Sequence, residues 1–328
     1  MRKSGALFAF VIAAVLAAVL AWPPTSAAQP YPSKPINWVV GFPPGGGADA
    51  VARMVTAKMA QNMGQAIVVD NRPGASSIIA AQHVAQAPAD GYTLFNAEQG
   101  ALVYNAALYS KLPYDAARDF TPISIMIRAP LLLVVHPSFP AGDLKTFIDL
   151  VKSQPGKFNY ASPGKGLAHH LAMEALKLRA GIDIVDVAYK GIGPAVQDVI
   201  AGQVPIAVID TVVALQHVRA GKLRALASFS TTRLGVLPDV PALAELGFPD
   251  MEMAPIVSVV APRQTPRDIV ARLAVEVVRA VRDPEVSQKL SGLGLEVIGN
   301  TPEQFAAYLE AEARRMLPLI KTLNIRLD

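Results

Sequence analysis

INWVVGFPPGGGAD, residues 36–49, contains an aliphatic run, a glycine- and proline-rich loop and the start of a helical pattern in direct succession. The aliphatic run is rich in β-branched residues and predicts a strand. Residues 51–63 then repeat apolar side chains at helical spacing, and Gly64 is expected to end that helix. The order of strand, loop and helix indicates an α/β fold with largely parallel strands.

The same order returns further along the chain. A strand at residues 67–69 is followed by the loop DNRPGASS (residues 70–77) and a helix from Ile78. Later strands are predicted at residues 92–95, 131–135 and 206–209, and later helices at residues 144–152, after Gly166, and near Pro194. Two C-terminal helices are predicted at residues 267–281 and 302–323. Each follows a Thr-Pro pair in which Thr is expected to cap the helix.

Composition bounds the number of domains and the classes of partner. The chain has 328 residues, 52% of them hydrophobic, and at about 150 residues per domain this length predicts two domains. The formal charge is +4, and Lys and Arg are scattered among Asp and Glu, so nucleic acid is not an expected partner. Cysteine is absent, which excludes disulfides, thiolate catalysis and a lipid-modified cysteine.

The N-terminus has the pattern of a secretory signal peptide. Arg2 and Lys3 precede an apolar run at residues 6–22, and Ser26-Ala27-Ala28 offers small residues for cleavage. The alternative is an uncleaved membrane anchor, but a spanning helix needs about 20 apolar residues and Pro23-Pro24 interrupts the run. We therefore expect a signal peptide at residues 1–28 and a periplasmic protein without a lipid anchor.

The loop FPPGGG (residues 42–47) suits the binding of an anion such as a carboxylate. Glycines let a ligand approach the backbone, and the helix start offers unpaired N–H groups and a partial positive charge. The alternative is a tight turn in which Asp49 only complements the helix dipole. No Lys-Ser or Lys-Thr follows the glycines and no G-x-G-x-x-G spacing occurs, so ATP and NAD are not expected.

The loop at residues 71–77 repeats this architecture, although Ser76 and Ser77 alone are typical helix caps. Two such loops at the carboxyl ends of neighbouring strands are stronger evidence, because ligands of open α/β sheets bind at that edge. His169 and His170 are adjacent on a helix and point about 100° apart, which does not suit one metal ion. No catalytic motif, metal site or cofactor site is predicted, so we expect a binding protein and not an enzyme.

Short motifs along the whole mature chain resemble the Bug family, the substrate-binding proteins of tripartite tricarboxylate transporters. The N-terminal half carries YPSKPI (31–36), FPPGGG (42–47), NRPGA (71–75), DGYTL (90–94), LPYD (112–115) and NYAS (159–162). The C-terminal half carries YKG (189–191), AGQV (201–204), AGKLRALA (220–227), LPDVP (237–241) and DPEV (283–286). The motifs occur in family order, which makes the resemblance specific.

The resemblance implies an α/β, two-lobe periplasmic-binding-protein fold of the Venus-flytrap, type II-like kind, with C-terminal helices completing the first lobe. Residues 29–130 and 256–328 are expected in lobe 1 and residues 131–255 in lobe 2. It also implies a monomer that delivers a small organic carboxylate to the membrane permease subunits of a tripartite transporter. A ligand-sensing adaptor for a signalling partner would use the same cleft and remains an alternative.

The resemblance also suggests the ligand contacts, with the carboxylate held on the backbone of the first two loops. The predicted binding residues are Phe42, Pro44, Gly45, Gly46, Gly47, Ala48 and Asp49 in the first loop, Gly74, Ala75, Ser76 and Ser77 in the second, Glu98 after the third strand, and Ser162, Gly164, Lys165, His169, Lys190 and Asp210 in lobe 2.

Glu98 and Asp210 depart from the family pattern. Relatives usually have small or hydroxyl residues near Glu98 and often Asn at Asp210. One hypothesis is that both carboxylates face the cleft and favour an amino- or hydroxy-substituted acid over citrate. The alternative is that both are solvated or paired outside the pocket.

Overall fold

The computed structural model describes residues 31–74 and 76–327. From Lys34 onward these residues form one compact unit that contains two β-sheets. Both the predicted signal peptide at residues 1–28 and Ala75 of the predicted site lie outside the described residues.

The first sheet is mixed. Its six strands, in spatial order, are β11 (Glu296–Val297), β4 (Phe120–Arg128), β10 (Ile256–Pro262), β3 (Thr93–Ala97), β1 (Ile36–Val40) and β2 (Ile67–Asn71). β1 pairs in parallel with β2 and β3, whereas β10 runs antiparallel to β3 and β4. The carboxyl ends of β1, β2 and β3 therefore lie at one edge of this sheet.

The second sheet repeats this arrangement. Its five strands, in spatial order, are β7 (Val185–Ala188), β6 (Asn159–Ser162), β8 (Ile206–Asp210), β5 (Leu131–Val135) and β9 (Arg224–Ser228). β6 is parallel to β7 and β8, and β5 is antiparallel to β8 and β9. The carboxyl ends of β6, β7 and β8 therefore also share one edge.

Helices follow most of the parallel strands. In chain order they are α1 (Gly47–Met63), α2 (Ile78–Ala85), α3 (Asn105–Leu108), α4 (Ala116–Asp119), α5 (Leu144–Ser153), α6 (Ala168–Ala180), α7 (Ile192–Ile200), α8 (Thr211–Arg219), α9 (Arg267–Val281), α10 (Pro284–Gly292) and α11 (Pro302–Thr322). A π-helical turn, Gly100–Tyr104, leads into α3, and a short 3₁₀ helix spans Leu243–Leu246. Among residues 31–74 and 76–327, no helix combines the length and apolar character that a bilayer crossing requires.

The chain crosses between the sheets where strands end. β4 ends at Arg128 in the first sheet, and β5 begins at Leu131 in the second. The chain returns to the first sheet at Ile256, the start of β10, and the amide of Ala129 donates a 2.7 Å hydrogen bond to the carbonyl of Pro255. The two crossings therefore lie side by side. Beyond them, α9 and α11 contact β4 of the first sheet.

Several predicted helix ends are confirmed. Gly64 follows α1 in the left-handed conformation, with φ of 65°, and its amide donates to the carbonyl of Ala60. At α11 the hydroxyl of Thr301 accepts from the amide of Gln304, 3.3 Å away, as a cap should.

The prediction that Thr265 caps α9 is wrong. Pro266 precedes the helix, and the hydroxyl of Thr265 donates instead to the carbonyl of Pro262, 2.8 Å away. Thr265 is buried, and this hydrogen bond satisfies its hydroxyl within the turn that enters the helix.

Candidate functional site

Gly166, in the loop after β6, lies close to residues that come after the first sheet's strand β3 and at the C-terminus. A side-chain carbon on Gly166 would lie 2.8 Å from Leu327 and 2.9 Å from Leu108, so the loop after β6 packs closely against α3 and the C-terminal segment. The amide of Leu327 in turn donates to the carbonyl of Leu108, 2.9 Å away. The loop at the carboxyl end of β6 therefore lies near the segment that follows β3.

The first glycine loop leaves the start of α1 open. Gly45, Gly46 and Gly47 are exposed, and Gly46 precedes the helix without a side-chain cap. Phe42 and Ala48, at the ends of the loop, are half-buried. The first amides of α1 are therefore left for another acceptor, as the sequence predicted.

Asp49 stabilises this loop through hydrogen bonds. Its carboxylate accepts 2.9 Å hydrogen bonds from the amide of Gly45, from Arg53 Nε and from Asn71 Nδ2. The hydrogen bond from Arg53 is the main reason why the pKa of Asp49 falls to about 2. Asn71 Nδ2 also donates to the carbonyl of Phe42, 3.0 Å away. Both Asp49 oxygens therefore accept hydrogen bonds within the protein and support the loop, and direct contact of Asp49 with a ligand stays a prediction.

The second loop packs against the first. Ser76 and Ser77 have φ of 50° and 64°, a left-handed conformation that costs non-glycine residues on the order of 1 kcal/mol or more and tends to occur at functional sites. The Ser77 hydroxyl donates to the carbonyl of Gly41 at 3.4 Å, and the Ser76 hydroxyl lies 3.1 Å from that of Tyr109. Gly74, with φ of 132°, is exposed at the turn.

Glu98 follows β3 beside this loop. Its Oε2 atom is buried without a hydrogen-bond partner among the described residues. Burial raises the pKa of the carboxyl from 4.5 to about 7, and a hydrogen bond with Ser77 opposes part of that rise. Near neutral pH the carboxyl is therefore protonated in a large fraction of molecules, which weakens the repulsion expected between Glu98 and a ligand carboxylate.

Asn105 lies at the second loop, although no sequence pattern indicated it. Its Nδ2 donates to the carbonyl of Ser76 at 3.1 Å, while its Oδ1 is buried without a partner in the described part of the chain. Asn105 begins α3 after the π-helical turn. No signal in the sequence predicts that turn, which carries Asn105 back to the second loop.

The edge of the second sheet carries Ser162 and His169. Ser162 ends β6 and is 1% exposed, and its Oγ has no hydrogen-bond partner among the described residues. Gly164 and Gly166 turn the chain with positive φ before α6. The amide of Gly166 donates to Nδ1 of His170, 3.3 Å away, so His170 supports the loop. Lys165 and Lys190, both predicted to bind the ligand, are exposed.

His169 and Asp210 form a pair across this edge. His169 Nε2 lies 2.9 Å from Asp210 Oδ2, and their side chains are 11% and 20% exposed. Asp210 stands at the position that precedes α8, yet its side chain makes no cap hydrogen bond to that helix. The side chain of Asp210 is therefore paired rather than free.

Helices that begin at the two edges share one property. The residues that precede α1, α2, α6, α7 and α8 are Gly46, Ser77, Leu167, Gly191 and Asp210, and none of them caps its helix with a side chain. Of the other helices, α4, α5, α10 and α11 are capped by Asp115, Asp143, Asp283 and Thr301. Helices α3 and α9 also begin without a side-chain cap, so five of the seven such starts among the described helices lie where the two sheets present their strand ends. At α8 the first amide, that of Thr211, donates to the carbonyl of Pro130, 2.9 Å away.

A separate cavity of about 360 Å³ lies beside the crossings and is lined by residues that include Arg128, Glu252, Tyr308, Glu312 and Arg315. None of the predicted binding residues lines it. Its charged groups pair with one another, as Arg128 does with Glu252 at 2.6 Å and Arg315 with Glu312 at 2.8 Å. We therefore place the candidate site at the sheet edges.

Known proteins share this sequence and this architecture. The family model described as tripartite tricarboxylate transporter family receptor matches residues 51–325. The solved structure of the periplasmic binding protein BugD is 30% identical with a TM-score of 0.79, and the alignment covers 90% of this chain and 100% of that one.

Two further solved structures contain bound acids. A protein from R. palustris with adipate is 34% identical, with a TM-score of 0.82 and coverage of 90% of this chain and 100% of that one. MatC from Rhodopseudomonas palustris with bound malate is 34% identical, with a TM-score of 0.78 and coverage of 88% and 100%. The predicted two-lobe fold class and Bug resemblance are confirmed. The chain belongs to the tripartite tricarboxylate transporter receptor family.

Proposed function

We propose that the protein is a periplasmic receptor that captures a small organic carboxylate between its two sheet edges and delivers it to the membrane permease subunits of a tripartite transporter. One observation carries this proposal: five helices begin at these edges without a side-chain cap. Free amides and the positive end of a helix dipole both favour a negatively charged group.

In this proposal the first carboxylate contacts the backbone of the two loops of the first sheet. Phe42, Pro44 and the residues from Gly45 to Ala48 form one wall, and the residues from Gly74 to Ser77 form the other. Glu98 lies behind Ser77. Ser162, Gly164, Lys165, His169, Lys190 and Asp210 contact the remainder of the ligand from the second sheet, and Asp49 supports the first loop.

The proposal includes two lobes that close on the ligand. Residues 29–130 and 256–328 make lobe 1, and residues 131–255 make lobe 2. The paired crossings near Ala129 and Pro255 support a hinge there, because hinges use a few residues at element ends. The close approach of Gly166 to Leu108 supports closure, because those residues come from the two different lobes.

Export is also part of the proposal. Residues 1–28 act as a signal peptide that is removed, and the mature protein diffuses in the periplasm without a lipid anchor, since the chain has no cysteine. The bound adipate and malate of the two R. palustris proteins support a small acid as ligand here. The protein releases its ligand chemically unchanged.

A thermal-shift screen of residues 29–328 tests this function. The panel contains dicarboxylates, tricarboxylates, aromatic acids, amino acids and hydroxylated acids. A ligand that binds only the folded state at 100 times its Kd stabilises that state by about 2.7 kcal/mol. A selective rise in Tm supports the receptor function, whereas a flat response to every acid contradicts it.

A matched pair of variants tests the contact at α1. Gly46 is extended, with φ of −76°, and a side-chain carbon there would meet only ordinary contacts. Gly46→Asp places a carboxylate over the free amides, so we expect carboxylate affinity to fall by about ten-fold or more. Gly46→Ala adds no cap and should bind like the wild type. Equal affinities for the two variants would contradict this contact.

A further inference from the structure

His169 and Asp210 bring together two ionisable side chains that lie 41 positions apart in the sequence. Asp210 ends β8, and His169 lies in the first turn of α6, which follows the neighbouring strand β6. His169 is 9% exposed, and its Nε2 contacts Asp210 Oδ2 at 2.9 Å. The pair is therefore fixed at the sheet edge where the ligand is proposed to bind.

This contact determines which imidazole nitrogen carries the proton. An ionised carboxylate only accepts hydrogen bonds, so Nε2 must be the donor to Asp210. In the neutral ring Nδ1 is then an acceptor without a proton. Nδ1 is buried and has no hydrogen-bond partner in the described part of the chain. Buried acceptors normally have a hydrogen-bond donor. In the proposed site a bound ligand would supply the donor to Nδ1.

The hydrogen bond to His169 Nε2 engages only one carboxylate oxygen of Asp210. The Asp210 side chain is 20% exposed, so it is not fully sealed from solvent. A second carboxylate on the ligand would meet both the lone pair of Nδ1 and the charge of Asp210. A hydroxyl or an ammonium group would instead donate to Nδ1 and be attracted to Asp210.

We propose that the His169–Asp210 pair selects a ligand whose far end is a hydrogen-bond donor, a hydroxyl or an ammonium group, over one whose far end is a second carboxylate. The inference rests on the proposed function and deepens it by naming the ligand's second group. Asp210 holds the ring and attracts the same ligand group, and His169 contacts that group through Nδ1. Ser162 lies at the end of β6, the strand that neighbours β8. Its buried hydroxyl has no partner in the described chain and would also hydrogen-bond to the donor group of the ligand.

Calorimetric titration of the mature protein with three acids of equal chain length tests the proposal. The acids end in a hydroxyl, an ammonium or a second carboxylate. We expect the wild type to prefer the better donor-ended acid over the dicarboxylate by about ten-fold or more, the discrimination typical of a site built around a hydrogen bond.

Asp210→Asn should reduce that preference by about ten-fold or reverse it. The substitution removes the charge, and the amide N–H of Asn donates to Nε2, so the proton moves to Nδ1 and the ring can bind a carboxylate. Asp186→Asn is the matched control. Asp186 lies 3.8 Å from His170, the neighbour of His169, and the substitution removes a carboxylate charge from the same sheet. The control should keep the wild-type preference.

Nitrogen NMR of the imidazole gives a readout that does not depend on any ligand. We expect the free wild type to carry the His169 proton on Nε2, with His169→Gln used to assign the signal. A proton on Nδ1 overturns the proposal, and so does a wild type that binds the dicarboxylate as tightly as the donor-ended acids. An equal effect of Asp210→Asn and Asp186→Asn also overturns it. Failure of every carboxylate to bind instead overturns the proposed function, and this inference with it.

Discussion

Glu98 should make the stability of the protein depend on pH in a direction opposite to that of a carboxylate whose pKa is lowered by an ion pair. Burial raises its pKa from 4.5 to about 7, so the folded protein holds more protons than the unfolded chain between these two values. The stabilising contribution of the protonated carboxyl is fully present below pH 4.5 and is lost as the pH rises through about 7. A pKa difference of about 2.5, at about 1.4 kcal/mol per pKa unit, corresponds to roughly 3 kcal/mol.

Urea unfolding of the wild type and of Glu98→Gln, from about pH 4 to about pH 8, measures this contribution. The amide of Gln does not titrate, so the free energy of unfolding of the wild type should fall relative to that of the variant by roughly 3 kcal/mol across this range. Glu310→Gln is the control, because the Glu310 side chain is 73% exposed and its removal should leave the pH profile parallel to that of the wild type. Parallel profiles for Glu98→Gln as well would refute the reasoning that the carboxyl is buried without an ionic partner.

Three further outcomes are expected from the same structure. Carboxylate affinity should rise as the pH falls through about 7 in the wild type but not in Glu98→Gln, because a neutral Glu98 no longer repels the ligand. Calorimetry at several pH values measures this affinity, and an equal change of affinity with pH in the two proteins would contradict the expectation. Gly41→Ala should destabilise the protein by about 1–3 kcal/mol in urea unfolding, since the added carbon would overlap the Ser77 hydroxyl, whereas Gly142→Ala, with open space around it, should unfold like the wild type. Thr301→Ala should cost about 1 kcal/mol through loss of the α11 cap, and Thr301→Ser should restore most of it.

Local chemistry explains why much of the fold could be predicted from the sequence. Residues 36–40 form β1 as predicted, and α1 ends before Gly64, because side-chain periodicity and a left-handed glycine are local properties. The π-helical turn at Gly100–Tyr104 could not be predicted in this way. It is held by distant contacts, such as the hydrogen bond from Tyr104 to Glu312 of α11.

The candidate site likewise has features that the sequence predicts and features that only tertiary packing determines. A loop between a strand and a helix is visible in the sequence, and so are unusual residues near it, such as Glu98 and His169. Hydrogen-bond partners are not visible, because tertiary packing determines them. Nothing in the sequence pairs His169 with Asp210, or turns Asp49 inward to Gly45 and Arg53.

The uncapped helices show how the stability of this chain is related to its proposed binding function. A side-chain cap typically contributes about 1 kcal/mol, and glycine in its place loses only a few tenths of that, so the five helix starts, two of them at Gly46 and Gly191, leave roughly 3 kcal/mol of stabilisation unused. The same chain caps α4, α5, α10 and α11 with Asp or Thr, so suitable residues are not excluded by its composition. Five of the starts without caps lie at the two strand edges, where a carboxylate would accept hydrogen bonds from the free amides, and α3 and α9 are the other two. An acid bound there would supply part of the missing stabilisation, which is why its binding should raise the Tm so clearly.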